Sequence, residues 1–173
     1  ECGLDYNRDY SPRNEQRAAF ARQVELAAAS GRALFLHQRD AHQDFLAILR
    51  EQGSRLPAGV AHCFTNGPEE MADYLDLGLH IGITGWICDE RRSSELRRAV
   101  ASLPLDRVLV ETDCPYLLPR SIRPQPRSRR NEPETLPEVV RVLASFMNVS
   151  PEVVAEVTTR NAQALFGLSA GPC

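Results

Sequence analysis

Four residues in this chain have the types and positions to do chemistry: Glu1, His37, His62 and Asp113. His37 ends the apolar run ALFL, His62 follows VA, and Asp113 closes RVLVETD, while Glu1 stands at what reads as a strand end. Two imidazoles and two carboxylates make a ligand set for divalent metals, nitrogen suiting borderline ions and carboxylate oxygen hard ones. A carboxylate can bridge two ions roughly 3.5–4 Å apart, the arrangement used to hydrolyse phosphoesters. Taken singly, each histidine also reads as a satisfied core side chain, and Asp113-Cys114-Pro115 as a turn or a helix cap. Four such residues at equivalent points of a repeating pattern are harder to explain that way.

The elements that must position them follow from periodicity. Val108, Leu109 and Val110 form a continuous apolar run that suits a parallel strand buried on both faces. Glu111 and Asp113 follow at once, and carboxylates there are expensive to bury without a compensating positive group. The C-terminal ends of parallel strands are where barrels and open α/β sheets place their chemistry. Upstream, the spacing predicts strands at 33–36, 60–61 and 79–85, with Gly82 and Gly85 marking close backbone approach. Helices are expected from the Ser11-Pro12 cap to Gly31, at 41–52 and 68–77, and from Ser93 or Ser94 to Leu103. A Pro- and Arg-rich loop at 114–131 then precedes helices at 133–147 and from Ser150-Pro151 to Phe166, the last broken near Thr159. Strands alternating with helices imply βαβ units and a parallel sheet, an α/β fold.

Composition narrows the class. The hydrophobic fraction of 43% and charged fraction of 25% over 173 residues are those of an ordinary soluble domain. No apolar run approaches the roughly 20 residues that span a bilayer, so no membrane partner is expected. The net charge of −3 excludes a basic coat for nucleic acid, although all twenty basic residues are Arg. Five cysteines without CxxC spacing point to free thiols in a reducing cytoplasm. Cys2, Cys63 and Cys114 each follow a candidate ligand, and strand alternation would turn them to the opposite face as small packing residues. His42 and His80 read as structural.

The segments ECGLD, LHQRDA, VAHCFTN, IGITGW, LVETDCPYLLPR, RRNEP and NAQALFGL occur here in the order of the TatD family of metal-dependent deoxyribonucleases. The chain resembles that family from about Glu1 to Leu168, with GWICDERR and SRRNEP most similar to its bacterial members. The resemblance implies the C-terminal portion of a (β/α)8 TIM barrel. Residues 1–168 would form one partial hydrolase domain and 169–173 a disordered tail. It implies two divalent ions, Mg²⁺ or Mn²⁺ with Zn²⁺ as the alternative. Glu1 resembles the bridging carboxylate, His37 and His62 the ligands of the second ion, and Asp113 a first-site ligand that also takes the proton of the attacking water. The implied activity is 3′→5′ exonuclease action on single-stranded DNA or RNA.

One departure matters: the family's HxH motif, which supplies two ligands to the first metal, does not occur in this chain. The reading is therefore of a fragment whose first three strands and most of the fourth are missing, with weak first-site metal binding and impaired activity. An open edge at 33–36 would favour self-association of the piece, with the full-length protein monomeric. For substrate, Arg39, Trp86, Tyr116, Arg120 and Arg130 are candidates, the arginines for phosphates and the aromatics for base stacking. Two other functions compete: a metal-dependent hydrolase of esters or amides, and a non-catalytic half-barrel that binds a partner.

Overall fold

The computed structural model describes residues 1–168, so the tail expected at 169–173 lies outside the described residues. Strands β1 (Cys2–Asp5), β2 (Leu34–Arg39), β3 (Gly59–Ala61), β4 (His80–Ile83) and β5 (Val108–Val110) form one sheet in the order β1-β2-β3-β4-β5. All four pairings are parallel, with Gly3 opposite His37, Leu36 opposite Ala61, Ala61 opposite Ile81 and Ile83 opposite Val110. Sequential parallel neighbours are the order found in one arc of a (β/α)8 barrel. Among the described residues β1 and β5 each have a single strand neighbour.

Helices α1 (Arg13–Ser30), α2 (His42–Arg50), α3 (Pro68–Asp76) and α4 (Ser94–Val100) fill the four crossovers, and α5 (Leu136–Met147) and α6 (Pro151–Phe166) follow β5. Each helix packs on the next. The main core lies between them and the sheet, where Phe20 of α1 stacks on Phe45 of α2 with ring centroids 5.2 Å apart. In α5, Val139, Val142 and Leu143 recur at helical spacing on the buried side. Gly31 and Gly167 close α1 and α6 in the left-handed conformation, with φ of 63° at both.

Two local expectations change. Helix α1 starts at Arg13, with Pro12 in the capping position and no side-chain cap; the Ser11 carbonyl instead accepts from the Gln16 side chain at 2.9 Å. Helix α6 runs unbroken through Thr159, whose hydroxyl is satisfied within the helix by the Ala155 carbonyl at 2.8 Å.

Alternation along the strands sets up the site. Leu34 and Leu36 point into the helix-side core, so Phe35 and His37 share the other face. On that face Phe35 packs with Val60, Leu109 and Leu165 in a smaller apolar cluster at the base of the sheet. Two residues further along each strand, the same face turns polar: His37 after Phe35, His62 after Val60, Glu111 after Leu109.

Candidate metal centre and cleft

The polar ends of the strands open into a cleft of about 710 Å³ lined by Glu1, Asp5, His37, His62, Cys63 and Asp113, among others. His62 is held as if β3 continued, its N–H donating to the Leu36 carbonyl at 2.8 Å, and Glu111 likewise extends β5 through Ile83 at 2.9 Å. Asp113 lies three residues past β5 in the left-handed region, φ 56°. The almost fully buried Asn131 steadies that turn. Its side-chain amide donates to the Thr112 carbonyl at 2.7 Å, and its backbone N–H donates to the Pro115 carbonyl at 2.9 Å.

The four residues picked from sequence meet. Asp113 Oδ1 is 3.3 Å and Glu1 Oε1 3.9 Å from His62 Nε2, and Glu1 Oε1 is 3.2 Å from His37 Nδ1. Glu1 does not end a strand, however; it precedes β1, and its long side chain brings the carboxylate forward. The residue at the end of β1 is Asp5, whose Oδ2 lies 3.1 Å from His37 Nε2. Both nitrogens of His37 therefore face carboxylates.

Cys63 departs from the expectation that it turns away. The strand ends at Ala61, so alternation no longer applies, and Cys63 takes a left-handed φ of 47°. Its Sγ joins donor atoms of His62 and Asp113 in a group within 4.8 Å. Such a backbone costs a non-glycine residue about 1 kcal/mol or more. Burial, with the nearby carboxylates, pushes the thiol up to about 12 despite a contact to Thr84 Oγ1 at 3.3 Å, so it stays protonated while the site holds no metal. Cys2 is half-buried and Cys114 exposed.

Residue order marks Glu111 only as a carboxylate that is expensive to bury. It sits behind His62, its Oε2 2.7 Å from Nδ1 and 3.0 Å from the Cys63 N–H. Four carboxylates, Glu1, Asp5, Glu111 and Asp113, thus touch two imidazoles. Like charges roughly 4 Å apart repel by about 4 kcal/mol at an effective dielectric near 20. Burial opposes charge on His62, but its bonds to Asp113 and Glu111 and the field of Glu111 and Glu1 prevail and push it up to about 10. The cluster draws positive charge to itself, and oxygen and imidazole donors of this kind fit a divalent ion.

Of the substrate candidates, Arg39, Trp86 and Tyr116 line the cleft. Arg39 is exposed and forms no ion pair among the described residues. Arg120 and Arg130 are not brought to the cleft: Arg120 lies 3.9 Å from Asp89 and Arg130 2.7 Å from Glu132. Local acids capture both, because the loop returns to the protein through Asn131. Tyr10, 88% exposed and unremarked in the sequence, also lines the cleft. Its signal is an aromatic placed in the polar loop between β1 and α1.

A family model described as TatD related DNase matches residues 1–167. The chain belongs to the TatD family. It is 49% identical over 168 residues to a protein named 3'-5' ssDNA/RNA exonuclease TatD from Klebsiella pneumoniae (strain 342), covering 97% of this chain and 64% of that protein. It is 52% identical over 170 residues to the protein of the same name from Erwinia billingiae (strain Eb661), covering 98% and 65%. Among solved structures, a TatD homologue from Escherichia coli k12 superposes with a TM-score of 0.86 at 27% identity, covering 98% of this chain and 63% of that one. A TatD family hydrolase from Entamoeba histolytica gives 0.84 at 26%, covering 98% and 62%. The chain thus spans less than two thirds of the length of these TatD relatives.

Proposed function

We propose that this chain supplies the metal-binding rim and substrate cleft of a metal-dependent nuclease that removes nucleotides from the 3′ end of single-stranded DNA or RNA. One observation carries the reading: Glu1, His37, His62 and Asp113 converge at the strand ends in one cleft. Relatives named as 3'-5' exonucleases support the polarity and substrate. Glu1, His37, His62 and Asp113 would hold the ions, two of them, with Mg²⁺ or Mn²⁺ favoured by the carboxylates and Zn²⁺ the alternative. A bound ion would acidify a water and neutralise charge on a phosphate. Asp113, a third exposed at its side chain, is placed to take the proton from that water.

Arg39 meets a phosphate in this reading, because its guanidinium is exposed and lacks an acidic partner among the described residues. Tyr10, Trp86 and Tyr116 offer ring faces to bases, a contact tolerant of sequence. One face of Trp86 is already covered by the Arg92 guanidinium, 4.2 Å from the ring centroid. The four described cysteines are free thiols, which supports a reducing compartment such as the cytoplasm. The single-sided edge of β1 is where a further strand or a second copy would pair.

The test is Mg²⁺- or Mn²⁺-dependent digestion of 3′-labelled and 5′-labelled single strands by the wild type and Asp113→Asn. Stepwise loss from the 3′ end, abolished by the substitution, is the expected result. Loss from the 5′ end, or digestion unchanged in Asp113→Asn, would refute the reading; a folded chain that binds metal and leaves both strands intact would mean that the HxH ligands it lacks are required for the chemistry.

A further inference from the structure

Resting on the metal reading above, we propose that Glu111 is the positioning residue for His62, deciding which imidazole nitrogen faces the cleft. Oε2 accepts the Cys63 N–H at 3.0 Å, which marks it as an acceptor, and its 2.7 Å contact to Nδ1 therefore places a proton on Nδ1. When an ion displaces the second proton, the lone pair of the ring falls on Nε2. That nitrogen is the one near Asp113 and Glu1, at 3.3 and 3.9 Å. Metal-ligating histidines are commonly held in this way, by a carboxylate on the other ring nitrogen.

Two observations separate positioning from direct ligation. Glu111 does not line the cleft; it lies behind His62 with its side chain 12% exposed. Its Oε2 is already taken by two N–H donors, one from His62 and one from the Cys63 backbone. The seat is built by the neighbouring strand. A Cβ on Gly82 of β4 would come within 2.2 Å of Glu111 Oε1, so the carboxylate occupies the space a side chain would take. The Gly82 carbonyl also accepts the Phe64 N–H at 2.9 Å, supporting the turn that carries Cys63. A buried carboxylate whose Oε1 has no partner among the described residues is costly to keep without such a task.

The experiment measures Mn²⁺ affinity calorimetrically for the wild type, Glu111→Ala and Glu111→Gln, and reads the His62 tautomer by ¹⁵N NMR in the Mg²⁺-loaded proteins. Removing such a partner weakens metal binding by about 10- to 100-fold, the loss expected for Glu111→Ala. The Gln amide oxygen can accept both N–H groups, so Glu111→Gln should stay within about threefold of wild type and keep Nδ1–H. Wild-type affinity in Glu111→Ala, equal loss in both variants, or a wild-type His62 protonated on Nε2 would each overturn the proposal. If Glu111→Ala does not fold, Glu111→Gln and the wild-type tautomer decide. A wild type that takes up no Mn²⁺ would overturn the metal reading and this proposal together; metal uptake with Glu111→Ala unaffected would overturn this proposal alone.

Discussion

Two acidic clusters in this molecule have opposite charge balances. At the cleft, Glu1, Asp5 and Asp113, with Glu111 behind them, face His37 and His62. Beyond β4, Asp89 is only 3% exposed and is met by three arginines: Arg91 bonds both its oxygens at 3.0 Å, Arg92 bonds Oδ2 at 3.0 Å, and Arg120 lies 3.9 Å away. The Arg91 bonds, prevailing over burial, hold the Asp89 carboxyl well below the usual carboxylate range. Where the protein supplies its own countercharge, the acid is a structural staple between loops. Around the imidazoles the four acids meet a single arginine among the described residues, Arg8 at 3.7 Å from Asp5, so the cluster takes up positive charge by protonating His62 or by binding an ion.

Asp113→Asn should give the largest effect, lowering strand digestion by about a hundredfold or more. In the wild type, Mg²⁺ at about 100 times its dissociation constant should add about 2.7 kcal/mol of stability, seen as a rise of about 5–10 °C in thermal unfolding. That rise should shrink in Asp113→Asn, where the ligands Glu1, His37 and His62 remain, and persist in full in Asp89→Asn; equal loss in both would collapse the distinction between the clusters. Next, Asp89→Ala should cost about 2–3 kcal/mol in chemical denaturation with metal affinity intact, since it removes charged hydrogen bonds and no ligand.

The acid dependence of the two clusters sharpens the contrast. Because the folded Asp89 pKa is depressed, its contribution is present above the ordinary carboxylate pKa and is lost as pH falls through the folded value. The stability gap between wild type and Asp89→Asn should therefore be full at pH 7 and shrink below about pH 4. A gap independent of pH would mean that the arginines pack without pairing. Smaller still, Tyr10→Ala should weaken single-strand binding about tenfold, an abasic strand being unaffected. Arg130→Ala should change binding by less than about threefold, because its exposed pair with Glu132 stands apart from the cleft.

Much of this was legible from residue order. The alternation of apolar runs and helical spacing specified the parallel α/β arrangement, since strand and helix periods depend on local geometry. The same runs pointed to His37, His62 and Asp113, because a polar residue at the end of a buried strand stands out against its neighbours. Gly82 and Gly85 were readable as places of close approach, and the structure puts the Glu111 carboxylate and the Leu117 carbonyl against them.

Other features depended on distances between residues far apart in the chain. Glu111 reaches His62 from 49 positions away, and Asp5 reaches His37 from 32. Arg120 and Arg130 looked equivalent to Arg39 as cations, yet local acids and the Asn131 anchor withdrew them from the cleft. Cys63 could not be placed by alternation, because its strand stops two residues earlier and a left-handed turn redirects the thiol. Sequence determined which residue types stand at the strand ends, a matter of local pattern. Tertiary structure alone decided which charges meet and which are left in excess, because charge balance is set by separation in space.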